Sequence, residues 1–323
     1  MPTDNPRENA LDEGETALLG LLRLLRERGY RFVTPGNPTV RIVRGRPEKA
    51  RAADLRDVFG WSLPFSEAVV GPEVLGLMRQ AGILVDDGDG WRSSLRVSSL
   101  GPALLLHSAY PTSADDAVFF GPDTYRYAAF LRVRMPVLGP GDLVVDIGGG
   151  SGAGAVATAM AHPEAKVLMT EISPAAIRLA RVNAVANGVN CAIRMGSGLD
   201  PVAEPIDVAI ANPPFIADRE GQLYQDGGDL YGAAIALDWA AAAMAKLAPG
   251  GRLLLYTGAP VLDGTDLVQQ RLQRLALEHD CTLDYEELDP DIFGAELRRP
   301  AYARVERIAA VGAVVRKAGG AGP

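Results

Sequence analysis

The 323-residue sequence has few of the residues that build disulfide frameworks and metal centres. Its two cysteines, Cys191 and Cys281, lie far apart, and its three histidines have no metal-binding or catalytic-triad spacing. No apolar run approaches the roughly 20 residues that cross a bilayer, and residues 1–15 are polar and acidic, unlike a secretory signal. We therefore expect a cytoplasmic, soluble protein with no metal site, no disulfide and no membrane contact.

A net basic charge is also absent. The formal charge is −8, which disfavours a protein that binds nucleic acid without specificity. Residues 23–57 depart from this balance, with nine arginines and one lysine against four carboxylates. This stretch is either a solvated arginine-rich surface or a patch that contacts RNA or an acidic partner.

The length of the chain exceeds the usual size of one domain, which predicts two, over residues 1–107 and 108–323. The first should be mainly helical after a disordered polar leader, residues 1–15. Its predicted elements are helices over 16–28, 52–59 and 72–81, a Pro/Gly-rich loop around 34–38, and a hairpin over 83–97. Helices followed by a hairpin suggest a winged-helix-like module that binds nucleic acid, covers an active site or forms a dimer contact.

The second predicted domain alternates short apolar runs with helical ones, which indicates a parallel sheet with helices on both faces. The expected strands are 143–147, 166–170, 191–195, 206–211 and 252–256, and the expected helices between them include 174–187 and 230–247. A helix over 263–279 and strands over 282–287 and 302–315 should close one edge of the sheet. The predicted fold class is α/β.

The first of these strands runs into a glycine-rich turn, Asp146-x-Gly148-x-Gly150-x-Gly152. Its spacing differs from the G-x-G-x-x-G of dinucleotide-binding folds, in which a helix N-terminus meets a pyrophosphate. A carboxylate at the strand end would repel a pyrophosphate and would suit a ligand with an ammonium or sulfonium group. The turn resembles motif I of the class I S-adenosylmethionine-dependent methyltransferases, in which these four positions bind the cofactor.

This resemblance implies a Rossmann-like sheet that binds S-adenosylmethionine and releases S-adenosylhomocysteine. Glu171, which ends the next strand, would accept hydrogen bonds from both ribose hydroxyls, and Ile172 would pack on the adenine. Ser197 follows the third strand, where many members of the class carry an aspartate. The resemblance therefore places Ser197 beside the adenine without the usual acceptor for its amine.

The fourth strand leads directly into Asn212-Pro213-Pro214-Phe215. A simple strand-ending turn would also contain prolines. The motif resembles the Asn-Pro-Pro-Phe/Tyr signature of amino-methyltransferases that act on planar nitrogens, such as nucleobase amines and the glutamine amide of release factors. It implies that the Asn212 side chain and the Pro213 carbonyl accept hydrogen bonds from an NH2 group while Phe215 stacks on the planar group.

Two further segments resemble the release factor glutamine methyltransferase branch of this family. Pro122-Asp123-Thr124 is similar to a Pro-Asp/Glu-Thr segment near the cofactor, which implies Asp123 and Thr124 as cofactor contacts. Residues 226–231 are similar to a glycine-rich segment that follows the Asn-Pro-Pro turn, although one glycine is missing.

These observations predict an S-adenosylmethionine-dependent N-methyltransferase that acts on structured RNA, a protein glutamine or a small metabolite. One alternative is an enzyme that cleaves or cyclises the cofactor and forms methylthioadenosine. Another is a non-catalytic subunit with the methyltransferase fold, and a homodimer is compatible with each hypothesis. The three tryptophans, Trp61, Trp91 and Trp239, are expected to anchor the core or the surface rather than to stack on a ligand.

Overall fold

The computed structural model describes residues 11–112, 114–216 and 228–319. The helices in chain order are α1 Glu13–Glu27, α2 Asn37–Arg44, α3 Leu55–Phe59, α4 Glu67–Gln80, α5 Pro122–Arg134, α6 Ala153–Ala161, α7 Pro174–Ala186, α8 Asp229–Gly232, α9 Ala234–Lys246 and α10 Leu267–Glu278. The strands are β1 Leu84–Asp86, β2 Trp91–Ser93, β3 Leu95–Leu100, β4 Ala103–Ser108, β5 Leu143–Ile147, β6 Lys166–Glu171, β7 Cys191–Met195, β8 Ile206–Ala211, β9 Leu247–Leu262, β10 Thr265–Asp266, β11 Cys281–Asp289 and β12 Arg307–Lys317. Within the described ranges no helix has the length and apolar character needed to cross a membrane.

One large sheet organises the second half of the chain, with the strand order β11-β12-β9-β8-β5-β6-β7 and with β10 paired to β9. The five strands from β7 to β9 along this order are parallel, whereas β12 is antiparallel to both β9 and β11. The chain moves outward from β5 to β7 and then returns to β8 on the other side of β5. Ligands bind at such a switch point in open α/β sheets, outside the carboxyl ends of the strands.

Helices cover both faces of this sheet, as the uninterrupted apolar strands predicted. Successive residues of a strand point to opposite faces. Val144 of β5 therefore packs with residues of α5, α6 and α7, whereas Val145 packs with residues of α9 and α10. The predicted α/β fold class is confirmed.

The N-terminal part of the chain packs against helix α7 of the sheet. Asp12 and Glu15 form a capping box at the start of α1, in which each carboxylate accepts the backbone N–H of the other residue. The buried leucines of α1 share one hydrophobic core with α4, with the hairpin strands and with Leu179 and Val182 of α7. Helix α7 thus packs against the N-terminal elements on one side and against the sheet on the other.

Several predictions for the N-terminal part were wrong. Helix α1 begins at Glu13, so the predicted leader extended too far, and its residues 1–10 lie outside the described part of the chain. The predicted loop around 34–38 contains the start of α2. The single hairpin predicted over 83–97 is β1–β2 only, and a second hairpin, β3–β4, follows it.

The second half also differs from the prediction in its details. Strand β9 has 16 residues rather than five, and the last strand begins at Arg307, after a short 3₁₀ turn, Pro300–Tyr302. The helix predicted over 230–247 begins at Ala234, because Leu230 and Tyr231 have left-handed backbone angles. Residues 226 and 227 of the glycine-rich segment lie outside the described residues.

Candidate active site

The glycine loop joins β5 to α6, and its backbone requires glycine. Gly148, Gly150 and Gly152 have φ values of 62°, 56° and 77°, which other residues adopt only with strain. A Cβ atom placed on Gly150 would meet nothing within 4 Å, so the loop is open at this residue. The loop and the N-terminus of α6 therefore form a cradle that a ligand can approach closely.

Asp146 lies beneath the loop and is 1% exposed. Its Oδ2 accepts the Ala155 N–H at 2.8 Å, and its Oδ1 accepts the Tyr127 hydroxyl at 3.3 Å. Burial raises the pKa of the Asp146 carboxyl to about 7. Asp146 thus connects β5 to α5 and α6, and it does not present the exposed charge that the sequence suggested.

Glu171 ends β6 and reaches back to the loop. Its Oε2 accepts the Gly150 N–H at 2.9 Å, and its Oε1 accepts the N–H groups of Ile172 and Ser173 at 2.7 and 2.9 Å. Each carboxylate oxygen can accept about two hydrogen bonds. Oε2 therefore retains capacity for one ribose hydroxyl, and a second hydroxyl would need one of the three backbone bonds to break.

Apolar side chains are exposed at the ends of the next two strands. Ile172 after β6 is 61% exposed, and Met195 at the end of β7 is 62% exposed. Ser197 is exposed in the turn that follows β7. Exposed apolar side chains at adjacent strand ends suit a flat apolar ligand group. The structure thus brings Ile172 and Ser197 to the same edge of the sheet as the glycine loop.

Asn212 follows β8 at the switch point. The pairing of Ile147 with Ala211 places it across from Gly148, one residue further along both strands. The Oδ1 atom of Asn212 is buried and has no hydrogen-bond partner among the described residues. Leaving such an acceptor unpaired costs about 1–3 kcal/mol. The Asn-Pro-Pro-Phe turn therefore holds an acceptor that residues 11–112, 114–216 and 228–319 do not satisfy.

Phe215 lies on the other side of this turn and is held by two residues that the sequence did not indicate. A Cβ atom on Gly258 of β9 would lie 2.6 Å from the Phe215 ring, so only glycine allows the ring to lie there. The Phe293 ring packs on Phe215 with centroids 5.5 Å apart and planes inclined by 56°. Phe293 has a φ of 60°, a strained value for this residue type.

Asp123 and Thr124 lie in the first turn of α5, and both side chains are bonded within the protein. Asp123 is 2% exposed and accepts the Tyr256 hydroxyl at 2.7 Å. Thr124 Oγ1 accepts the Gly121 N–H at 3.2 Å. Burial raises the pKa of the Asp123 carboxyl. These two side chains thus fix α5 against β9 and cap it, and their role as cofactor contacts stays a prediction.

Two further residues without a sequence signal support the loop. Trp239 of α9 lies against Gly148, where a Cβ atom would come within 2.1 Å of the indole ring. The Asn183 side chain of α7 donates to the Ser151 carbonyl at 2.8 Å and exchanges hydrogen bonds with the Leu106 backbone of β4. Asn183 therefore connects the loop to the N-terminal hairpin. Across residues 11–112, 114–216 and 228–319, no cluster of His, Cys, Asp and Glu could hold a metal ion.

The comparison with protein families agrees with this geometry. Residues 128–275 match the family described as "Methyltransferase small domain". This region contains the glycine loop, Glu171 and the Asn-Pro-Pro-Phe turn. Residues 128–275, slightly less than half of the chain, are therefore similar to a methyltransferase domain.

Individual relatives show which methyltransferases parts of this chain resemble. The release factor glutamine methyltransferase of Deinococcus radiodurans is 34% identical over 163 residues, which cover 47% of this chain and 55% of that protein. That of Enterococcus faecalis is 43% identical over 81 residues, which cover 25% of this chain and 29% of that protein. The matches thus span about half of these relatives or less. A solved methyltransferase structure from Pyrococcus furiosus has 18% identity and a TM-score of 0.44, over 62% of this chain and 89% of that one.

Proposed function

We propose that this protein transfers a methyl group from S-adenosylmethionine to the amide nitrogen of a protein glutamine. The observation that carries the proposal is the buried, unpaired Oδ1 atom of Asn212. A primary amide has two N–H donors on one planar nitrogen. Asn212 Oδ1 and the Pro213 carbonyl are two acceptors that can pair with both of them.

The residues of the glycine loop fit the cofactor. Gly150 is open to a ligand, Ile172 offers an exposed apolar surface, and Glu171 Oε2 can accept one hydroxyl hydrogen bond. Three backbone N–H groups already orient the Glu171 carboxylate, so ordering it on binding costs little. S-adenosylmethionine, when bound, supplies an electrophilic methyl group on a positively charged sulfur.

The acceptor turn would make the amide nitrogen reactive. This nitrogen is a poor nucleophile because its lone pair is delocalised into the carbonyl group. Asn212 and Pro213 would hold both N–H groups so that the lone pair leaves the amide plane. Two adjacent prolines keep the Pro213 carbonyl in place, and preorganised dipoles of this kind stabilise developing charge at little cost. Phe215, packed on Gly258 and Phe293, offers a flat contact to the amide.

Two observations favour a protein acceptor over RNA. The relatives described above are named release factor glutamine methyltransferases. In addition, many arginines between residues 23 and 57 bind groups of the protein itself, and the pairs are Arg26 with Ala186 O, Arg28 with Glu73, Arg31 with Gly101 O, Arg44 with Tyr110 O and Arg51 with Asp89 O. These pairs favour a structural role for the basic stretch. We place the activity in the cytoplasm, where release factors act.

Neither alternative explains the acceptor turn. Cleavage or cyclisation of the cofactor takes place within one bound molecule and needs no acceptor for a second NH2 group. A non-catalytic subunit would gain stability from a partner for Asn212 Oδ1, because the unpaired oxygen is costly.

The test is methylation of a release factor by the purified protein with labelled S-adenosylmethionine, followed by mass spectrometry of the peptides. We expect one added methyl group on a glutamine. Asn212→Ala should slow it by about 100- to 1,000-fold. Asn37→Ala should not, because Asn37 also precedes a proline but is exposed in α2. Label in RNA or in a small molecule would contradict the glutamine acceptor, and release of methylthioadenosine would contradict methyl transfer.

A further inference from the structure

Trp239 lies in α9, on the face of the sheet that α5, α6 and α7 do not cover, and its side chain contacts the glycine loop. Its six-membered ring lies against Gly148 after β5, with the built Cβ position 2.1 Å from Cη2. Its Nε1 lies 3.5 Å from a Cβ atom built on Gly198 after β7. The indole therefore contacts both the glycine loop and the turn that contains Ser197.

The packing of α9 does not require an aromatic residue at this position. The helix buries small side chains, Ala236, Ala240 and Ala243, against the sheet. Trp239 is only partly buried and packs at the border of that core. Its Nε1–H makes no hydrogen bond within the described residues and is not among their buried unpaired atoms. The ring thus presents both an aromatic surface and an available donor.

The chemistry of neighbouring residues indicates what this surface binds. Ile172 is 61% exposed at the end of β6, on the same edge of the sheet as the glycine loop. Ser197 has no carboxylate that could accept the exocyclic amine of a purine. A purine has aromatic faces for stacking and ring nitrogens that accept an N–H donor. At this site, stacking on Trp239 and apolar contact with Ile172 can therefore bind a purine more strongly than a hydrogen bond to Ser197 can.

We propose that Trp239 is a binding residue for the adenine of S-adenosylmethionine, and that adenine is recognised here by stacking rather than through its exocyclic amine. This inference rests on the proposed function, because it assumes that cofactor. It assigns a ligand contact to a residue that lies outside every recognised motif.

Calorimetry with three ligands tests the proposal: S-adenosylmethionine, S-adenosylhomocysteine and methylthioadenosine, which carries the adenosine but not the amino acid. Trp239→Ala should weaken all three by a similar factor, about 5- to 150-fold, the range for stacking of a base on an aromatic side chain. Trp239→Phe should retain most of the affinity. Met244→Ala, which truncates a buried residue of the same helix away from the crevice, is the matched control and should leave binding unchanged.

Fluorescence provides a second readout that does not depend on activity. S-adenosylhomocysteine should quench the wild-type protein and the variants Trp61→Phe and Trp91→Phe, but it should not quench Trp239→Phe. An analogue methylated on the exocyclic amine should bind within about threefold of the parent compound, since no strong hydrogen bond is lost.

Each other outcome is decisive. Unchanged affinity in Trp239→Ala, or an effect no larger than that of Met244→Ala, would overturn the role of Trp239 while leaving the proposed function intact. A loss for S-adenosylmethionine without a loss for methylthioadenosine would show that the ring only supports the glycine loop. If wild-type protein bound none of the three ligands, the proposed function would fail, and this inference with it.

Discussion

The two halves of the crevice differ in how their polar groups are paired. On the cofactor side, Asp146 has two hydrogen bonds and Glu171 has three, all from groups of the protein. On the acceptor side, Asn212 Oδ1 has none among the described residues. The polar groups of the cofactor half are thus paired within the protein, whereas the proposed function requires a substrate with N–H donors to pair the acceptor half.

Helix α5 connects these halves through two tyrosine–aspartate hydrogen bonds, and it contributes the donor to one of them and the acceptor to the other. Tyr127 of the helix donates to Asp146 of β5, and Tyr256 of β9 donates to Asp123 of the helix. Arg126 adds an ion pair with Asp289 at 2.8 Å. The position of the glycine loop relative to β9 therefore depends on buried hydrogen bonds. Removing one partner of such a bond is costly because the other partner is left buried and unpaired.

The largest expected effect is on the acceptor side. Asn212→Ala removes one acceptor for the amide and should lower kcat by about 100- to 1,000-fold, the usual cost of deleting a preorganised polar group at a reacting centre. Binding of S-adenosylmethionine, measured by calorimetry, should stay within about twofold of wild type, because the cofactor half is paired independently. An equal loss of cofactor binding would contradict the separation of the two halves.

Glu171→Ala should weaken cofactor binding and should leave kcat at saturating cofactor largely unchanged, which is the reverse of the pattern expected for Asn212→Ala. It removes a charged acceptor and releases the Gly150 N–H, so cofactor affinity should fall by about 10- to 100-fold, corresponding to roughly 1.5–3 kcal/mol. Once cofactor is saturating, kcat should recover towards the wild-type value. Glu73→Ala, which removes a carboxylate of α4 that pairs with Arg28, is the control and should bind cofactor normally.

The pH dependence of stability should report on Asp146. Its pKa is raised to about 7 in the folded protein, so between pH 4 and 7 the native state keeps a proton that the unfolded state has released. The contribution of Asp146 to the free energy of unfolding therefore decreases as pH rises through this window, by at most about 1.4 kcal/mol per pH unit.

Urea titrations of wild type and Asp146→Asn at several pH values measure this slope as a difference. The subtraction is needed because burial lowers the pKa of His107, and that shift makes stability rise with pH in the acidic range. Parallel curves for the two proteins would show that Asp146 is ionised throughout.

The smallest expected effect is the difference in the free energy of unfolding between variants of the two tyrosine–aspartate pairs. Tyr256→Phe should lower the free energy of unfolding by about 1–3 kcal/mol, because Asp123 is left buried without its 2.7 Å donor. Tyr127→Phe should cost less, since its bond to Asp146 is longer, 3.3 Å, and the Ala155 N–H remains at 2.8 Å, whereas Arg126 remains 3.5 Å from Asp123. Urea unfolding at pH 8 compares them, and a reversed order would contradict the assignment.

Strands β5, β6 and β8 were predictable because each is a short apolar run buried on both faces. Strand β3 was missed for the opposite reason, since it buries polar residues. Ser98 is paired with Thr34 and His107 from other elements, so its burial leaves no apolar alternation in the sequence. Helix α5 was missed because its tyrosines and arginines bind groups on distant strands.

The candidate site divides in the same way. The glycine loop, Glu171 and the Asn-Pro-Pro-Phe turn are local patterns, in which glycine and proline restrict the backbone directly, and they indicated the donor and the type of acceptor. Trp239, Phe293 and Gly258 belong to no local pattern and reach the crevice only through packing.

The sequence by itself thus determined the α/β fold class and the resemblance to class I methyltransferases, because both depend on residue types at short spacing. The tertiary structure alone decided that Asp146 and Asp123 are buried, that Asn212 Oδ1 has no partner among the described residues and that Trp239 lies beside the glycine loop. Burial and hydrogen-bond pairing depend on contacts between residues far apart in the chain, and the spacing of a motif carries no information about them.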